Sequence, residues 1–269
     1  LLMPAWTDQL ISVKLATIFP DNSYLGLPTI AGVILIFDGK TGLPLAVLDA
    51  GEVTAKRTAA ASALASSYLS RKDSKRILIV GTGRLVSYLV EAHANVRSLT
   101  HISIWGRDKK KSEQALMTLP KYIRDQCQCN IVEDLESAAA EADIISMATR
   151  STKPLIKYLW LSQGTHLDLV GGYRPDMREV DDDCISKTSL FADTREGVLA
   201  EAGDFIQPIN KGIISARSIK ADFYDFCRDL HKGRKDDNEI TLFKSVGNSL
   251  EDLAASSIII GCSSFESTS

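Results

Sequence analysis

Apolar positions recur along this chain with two different periods, and the change between them divides it. Ile11 to Phe19, Thr29 to Phe37 and Pro44 to Leu48 alternate or run apolar, with Asp38-Gly39-Lys40-Thr41-Gly42 as a turn between the last two. That pattern predicts an antiparallel meander. Glu52 to Leu69 follows, dense in Ala, Ser and Thr, and predicts a helix suited to close packing. The polar stretch Arg71 to Ser74 reads as an exposed connection.

Beyond it the pattern changes. Ile77 to Val80 is a short, wholly apolar run, as expected for a strand buried on both faces of a parallel sheet. Gly81-Thr82-Gly83 ends it, Leu85 to Val96 predicts a helix, and His101 to Trp105 a second strand. Helix and strand then alternate through Ser112–Leu119, Ile131–Val132, Ser137–Ala142, Ile144–Ala148, His166–Val170 and Ser189–Ala192. From about Asp222 the chain reads as helical and charged. Val246 to Gly261 reads as a closing helix with an apolar stripe at Leu250, Leu253, Ala254 and Ser257, expected to return to the first domain. The fold class predicted is α/β, a Rossmann-type doubly wound parallel sheet with a smaller antiparallel-sheet domain. The expected domains are residues 1–56 with 245–269, and residues 57–244.

Composition narrows the function classes. With 269 residues, 45% hydrophobic, the chain can bury a large core. A net charge of −3 supplies no field to gather nucleic acid or anionic lipid, so neither is an expected partner. No apolar run is long enough to cross a bilayer, and Leu1 to Pro4 lacks the regions of a signal peptide; the expected compartment is the cytoplasm. The cysteines at 127, 129, 184, 227 and 262 form no metal-ligand pattern and are expected as reduced thiols; no metal is expected. His93, His101, His166 and His231 are scattered, and His166 reads as a packed core residue.

The chemistry begins at Gly81. Gly81 and Gly83 let the backbone turn tightly and approach a pyrophosphate, whose charge would rest on the free N–H groups opening the next helix around Arg84 and Leu85. The third glycine of the dinucleotide fingerprint is Val86 here, so the motif alone is weak. The second strand strengthens it. Trp105-Gly106-Arg107-Asp108-Lys109 puts Arg107 where an NAD-binding unit usually carries an acid for the ribose 2′-hydroxyl, which favours NADP(H) with NAD(H) as the alternative. The competing reading of Arg107 to Lys111 is a solvated basic start to a helix.

Several segments resemble the ornithine cyclodeaminase/mu-crystallin family: Met3-Pro4-Ala5-Trp6, Val13-Lys14-Leu15, Phe19-Pro20-Asp21-Asn22, Leu27-Pro28-Thr29, Glu52 to Ala61, Gly171-Gly172-Tyr173-Arg174-Pro175-Asp176-Met177-Arg178-Glu179 and Phe243 to Gly247. The resemblance covers nearly the whole chain. It implies a homodimer in which the early strands and last helix form the dimerisation and substrate domain. It also implies that the family's opening segment, with an arginine that binds substrate carboxylate, falls outside this sequence. Activities in the family include ornithine cyclodeamination, alanine-dehydrogenase-like reductive amination, and reduction of the cyclic ketimines Δ1-pyrroline-2-carboxylate and Δ1-piperideine-2-carboxylate. A low-turnover NADPH-binding protein like mu-crystallin is a further alternative.

By the same resemblance Lys14 and Arg57 bind the substrate carboxylate. Lys14 shares a strand face with Ser12 and Ala16, small neighbours that leave space beside an ammonium. Without the resemblance, a lysine on the wet face of a half-buried strand accounts for it as well. Arg57 lies in the first turns of its helix, where the dipole favours an anion and a guanidinium can grip one bidentately. Its plainer reading is a surface arginine paired with Glu52 or Asp49.

Tyr173 stands where ornithine cyclodeaminases have an aspartate proposed to exchange protons with the substrate amine. A phenol donates a hydrogen bond but is a poor base for an ammonium, which disfavours cyclodeamination; Gly172 to Glu179 resembles the ketimine-reductase branch, which implies reduction of a cyclic imino acid as the expected activity, with loop packing as the plainer reading of Tyr173. Lys14, Tyr173 or water is expected to relay the proton to a small imino acid, which makes Lys14 and Tyr173 the candidate catalytic residues. Ala148, Thr149, Val170, Gly171 and Gly172, at the ends of strands, are expected to line the nicotinamide, and Thr58 completes the expected cofactor contacts.

Overall fold

The structure, a computed structural model, describes residues 1–261; residues 262–269, with Cys262 and the end of the expected 245–269 segment, lie outside the described residues. The described residues form two units, Leu1–Thr58 with residues 247–261, and Ala59–Val246.

The first unit is a four-stranded antiparallel sheet in the order β1-β2-β3-β4, formed by β1 (Leu2–Trp6), β2 (Leu10–Ile18), β3 (Ile30–Asp38) and β4 (Pro44–Asp49). β1 is an element that hydrophobic alternation did not predict; it pairs with β2 so that Met3 faces Lys14. α1 (Ala50–Leu69) begins here. Ala5, Leu10, Ile34 and Ile36 on one sheet face pack with Ala50, Val53 and Leu253. Because side chains alternate across a strand, Ser12, Lys14 and Ala16 share that inner face and are buried. The outer face carries the larger apolar residues and is open: Leu2 is 66% exposed, Leu15 43% and Val47 67%.

The closing helix is α10 (Ser249–Ile259), capped by Asn248, whose side chain accepts from the Leu250 and Glu251 N–H groups. The expected apolar stripe is corrected in part. Leu250 and Ala254 are exposed, and the buried face is Asp252, Leu253, Ser256 and Ser257. The face is chosen by an ion pair rather than by apolar count, because Asp252 meets two cations described below.

The second unit is an eight-stranded, wholly parallel sheet. Its strands in chain order are β5 (Arg76–Val80), β6 (His101–Trp105), β7 (Gln128–Ile131), β8 (Ile144–Met147), β9 (His166–Leu169), β10 (Ser189–Ala192), β11 (Ile219–Ala221) and β12 (Thr241–Lys244). Their spatial order is β11-β10-β12-β9-β8-β5-β6-β7. The chain moves outward from β5 through β6 to β7, then returns to lay β8 on the other side of β5. This reversal opens a crevice at the carboxyl ends of β5 and β8, the place where such sheets bind ligands.

The connections include α2 (Leu85–Val96), α3 (Lys109–Met117), α4 (Lys121–Gln126), α5 (Leu135–Glu141), α6 (Asp182–Lys187), α7 (Arg195–Glu201), α8 (Gly203–Asn210) and α9 (Phe223–Cys227). α3 starts three residues before the predicted Ser112 because Asp108 caps it, accepting from the Lys110 and Lys111 N–H groups. The helical reading of the segment after Asp222 is corrected. It holds only the short α9 and then β12, which is fully buried between β10 and β9. A four-residue strand flanked by charge carries no alternation to read, and Lys244 within it is buried through hydrogen bonds to carbonyls.

Candidate functional site

In the first unit Lys14 and Arg57 converge on one carboxylate. Lys14 Nζ lies 3.2 Å from both oxygens of Asp252, and Arg57 Nε donates to Asp252 Oδ1 at 3.0 Å. Arg57 Nη1 donates to Glu251 Oε2 at 2.8 Å. Lys14 and Arg57 are 5% and 9% exposed and Asp252 is fully buried, so none of the three is a solvated surface charge. The plainer readings of both cations fail here. Lys14 is on the packed face, and Glu52 pairs with Lys56 while Asp49 accepts from the Glu52 N–H.

Burial first, and the neighbouring Arg57 charge second, hold the Lys14 ammonium below the usual lysine range, with Asp252 opposing the shift. A lysine so perturbed is a better proton donor than a solvated one. Arg57 has five N–H donors, of which the helix carboxylates occupy two, so its orientation is fixed while donors remain for a ligand. Asp252 and Glu251, which hold the two cations, were not singled out by sequence reasoning. Only the inward direction of Lys14 signals that a buried acid must exist.

In the second unit the turn after β5 has the form a pyrophosphate requires. Gly81 has φ +133°, and a Cβ there would lie 2.7 Å from the Ala148 carbonyl oxygen, so no other residue fits. Gly83 faces open space. α2 begins after Arg84 without a side-chain cap, the Val86 N–H turns back to the Gly83 carbonyl at 3.2 Å, and Leu85 packs on the core, so the strand-turn-helix form is the one whose helix start can face an anion. Val86, in place of the third glycine, is fully buried in that core. These features fit the pyrophosphate of a dinucleotide.

Thr82 and Gly106 meet at the ends of β5 and β6, where a Cβ on Gly106 would collide with the Thr82 methyl. Trp105 donates its indole N–H to the Glu133 carbonyl at 3.2 Å. Arg107 is exposed and has no hydrogen bond or ion pair among the described residues, whereas Lys109 is paired with Glu133 at 2.7 Å. Asp108 is engaged in capping α3, its side chain accepting from the Lys110 and Lys111 N–H groups.

At the neighbouring strand ends, the Thr149 N–H and hydroxyl both donate to Glu179 at 2.8 Å. Val170 and Gly171 both donate to the Met147 carbonyl, and Gly172 accepts from Gly203. Tyr173, next in the loop, is 36% exposed. Thr58 is buried on α1 beside Arg57. His166 is fully buried on β9, Nδ1 2.9 Å from the Thr241 hydroxyl, and burial pushes its pKa down to about 3. No group of three or more metal-ligating side chains occurs among the described residues, and no helix among them is long and apolar enough to cross a membrane.

The chain is similar to known proteins over most of its length. The chain is 38% identical over 257 residues to a Δ1-pyrroline-2-carboxylate reductase of Paracoccus denitrificans, covering 95% of this chain and 80% of that protein. The solved structure of Thermococcus litoralis Δ1-pyrroline-2-carboxylate reductase in complex with NADH and L-proline superposes with a TM-score of 0.90 at 34% identity, covering 97% of this chain and 82% of that one. An archaeal alanine dehydrogenase dimer with bound NAD gives 0.89 at 28% identity, covering 97% and 79%. The sequence profile of the ornithine cyclodeaminase/mu-crystallin family matches residues 1–263, and the chain belongs to that family.

Proposed function

We propose that this protein is a nicotinamide-dependent oxidoreductase that reduces the C=N bond of a small cyclic imino acid, Δ1-pyrroline-2-carboxylate or Δ1-piperideine-2-carboxylate, to L-proline or L-pipecolate. The observation that carries the reading is the convergence of two buried cations, Lys14 and Arg57, held in place by Asp252. Two fixed cations bind an organic carboxylate and orient the adjoining carbon, and orientation alone can lower a barrier by several kcal/mol. The relatives named as Δ1-pyrroline-2-carboxylate reductases support the substrate class.

The coenzyme supplies the hydride. In this reading the turn Gly81-Thr82-Gly83 with Arg84 and Leu85 holds its pyrophosphate, and Trp105, Gly106, Arg107 and Lys109 surround the adenosine ribose. The unpartnered Arg107 favours a 2′-phosphate and hence NADPH over NADH. Ala148, Thr149, Val170, Gly171 and Gly172 border the nicotinamide, and Thr58 is a further contact. The substrate nitrogen takes its proton from Lys14, whose depressed proton affinity suits it to donation, with the Tyr173 phenol as a second donor. Tyr173 also weighs against cyclodeamination, since a phenol does not take a proton from an ammonium readily.

The same grip on a carboxylate serves reductive amination of an open-chain α-keto acid, a second reading favoured by the likeness to alanine dehydrogenase. Steady-state rates with the two cyclic imines, with pyruvate plus ammonia, and with L-ornithine separate these reactions. The cyclic imines are expected to give the highest kcat/KM. Turnover of ornithine, or of pyruvate and ammonia, above that of both imines would replace the reading.

A homodimer is proposed as well, formed through the outer face of the first sheet. Leu2, Leu15, Val33 and Val47 form an exposed apolar surface there of the kind that marks association. Sedimentation equilibrium is expected to give twice the chain mass, and Val47→Lys to shift it toward the monomer. The proposed compartment is the cytoplasm.

A further inference from the structure

The strand-end loops of the second unit rest on a buried group of charges that neither the pyrophosphate turn nor the carboxylate grip uses. Glu179, fully buried, accepts both Thr149 hydrogen bonds through Oε1, and its Oε2 has no hydrogen-bond partner. Asp204 on α8, also fully buried, accepts through Oδ1 from the Glu179 N–H at 2.8 Å and the Val180 N–H at 3.3 Å, and its Oδ2 likewise has none. Lys244 at the end of β12 donates to the Leu169 and Gly171 carbonyls. Arg178 places Nε 3.5 Å from Asp204 Oδ1 and is held from behind by Asp182 on α6. A Cβ on Gly171 would collide with the Thr149 carbonyl and Glu179 Oε1, and one on Gly172 would lie 2.5 Å from Asp204 Oδ2. The loop after β8 and the loop after β9 therefore both sit directly on these carboxyl groups.

We propose that Glu179 is a positioning residue that ties the Thr149 loop to the Gly171–Gly172 loop and, by gaining or losing a proton beside Asp204 and Lys244, sets the preference of the site for oxidised over reduced coenzyme. This inference rests on the reading of those loops as the nicotinamide border. With Glu179 protonated, the two acids Asp204 and Asp182 match the two cations Lys244 and Arg178. With Glu179 ionised, the group holds an excess negative charge in a poorly solvated interior, where its field is weakly screened. The oxidised nicotinamide ring carries a positive charge that the reduced ring lacks, so the ionised group favours the oxidised form. Burial chiefly, reinforced by Asp204 and opposed by Lys244, pushes the Glu179 pKa up to about 8, within reach of ordinary conditions. Linkage is reciprocal, so oxidised coenzyme would in turn promote loss of the proton. The ionised carboxylate would also strengthen its bonds to Thr149.

The test is the ratio of dissociation constants for oxidised and reduced coenzyme, measured by fluorescence titration of the full chain across the pH range around 8, with Glu179→Gln as the comparison. In the wild type the ratio is expected to fall by about fivefold or more as pH rises, and in Glu179→Gln to stay flat. Taking the ratio cancels any titration of a 2′-phosphate, which both coenzyme forms share. A second readout needs neither coenzyme nor a variant: the Thr149 amide resonance of the unliganded wild type is expected to titrate with a midpoint near 8. Coenzyme binding with a pH-independent ratio, or a Thr149 amide that does not titrate, overturns the proposal alone. A wild type that binds neither coenzyme overturns the nicotinamide reading and this proposal with it.

Discussion

Lys14 and Asp252 stand 238 positions apart in sequence, yet the lysine ammonium lies 3.2 Å from both oxygens of the aspartate. Arg57 donates to the same carboxylate at 3.0 Å. One buried acid thus holds two cations that the sheet and α1 bring to it.

Removal of that acid leaves the buried Lys14 ammonium unpaired beside Arg57, which keeps Glu251. Asp252→Ala is expected to destabilise the first unit by about 3 kcal/mol or more, the range found when one partner of a buried ion pair is deleted. Asp252→Asn, which keeps the shape and an acceptor oxygen, is expected to lose less. Urea unfolding monitored by a probe in the first unit measures both; equal stability of Asp252→Ala and wild type would contradict the assignment.

Arg57 and Lys14 differ in what they do for turnover. Arg57→Ala removes a charged hydrogen bond from bound substrate and is expected to raise KM for every carboxylate substrate by about ten- to a hundredfold, with a smaller effect on kcat. Lys14→Met is expected to lower kcat as well, because it removes a proton donor. Steady-state kinetics with Δ1-pyrroline-2-carboxylate make the distinction, and an unchanged KM in Arg57→Ala would remove Arg57 from the site.

Coenzyme choice is expected to depend on Arg107, which is exposed and has no partner among the described residues. Arg107→Ala should weaken NADPH binding by about tenfold, the worth of one charge-assisted phosphate contact, and leave NADH nearly unaffected. Lys109→Ala should matter less, since its ammonium is already paired with Glu133. Titration with each reduced coenzyme reads the change directly.

Acid stability is expected to carry the signature of His166. Burial lowers its folded-state pKa from 6.5 to about 3, so the folded protein keeps it neutral while the unfolded chain takes up a proton below pH 6.5. Stability from this group is therefore full above 6.5 and is lost as pH falls from 6.5 toward 3. Replacement by glutamine, which does not titrate, should flatten the decline in unfolding free energy over that interval. A slope identical to wild type would contradict it.

How far the sequence reaches depends on what each residue's environment is made of. The nucleotide unit was legible because its signals are local: an apolar run into Gly81, a helix start, and a strand ending at Trp105 just before Arg107. The sheet of the first unit was legible except for β1, whose proline and few alternating positions give no period. β12 escaped notice because it is four residues long and a lysine ends it, and only the carbonyls of Leu169 and Gly171 explain how that lysine is buried. Asp252 was hidden within a helix stripe read by apolar count, since a buried acid makes sense only once Lys14 and Arg57 are known to point at it. The inner and outer faces of β2 invert the usual rule, with small and charged residues packed and Leu15 exposed, so hydrophobicity alone assigns its faces the wrong way round.

The central claim is that Lys14 and Arg57 receive the carboxylate of the substrate. The most direct measurement is a crystal structure of the protein with L-proline and oxidised coenzyme bound. The carboxylate is predicted within hydrogen-bonding distance of Lys14 Nζ and the Arg57 guanidinium, with Asp252 still joined to both. A carboxylate bound away from these two residues would contradict the account.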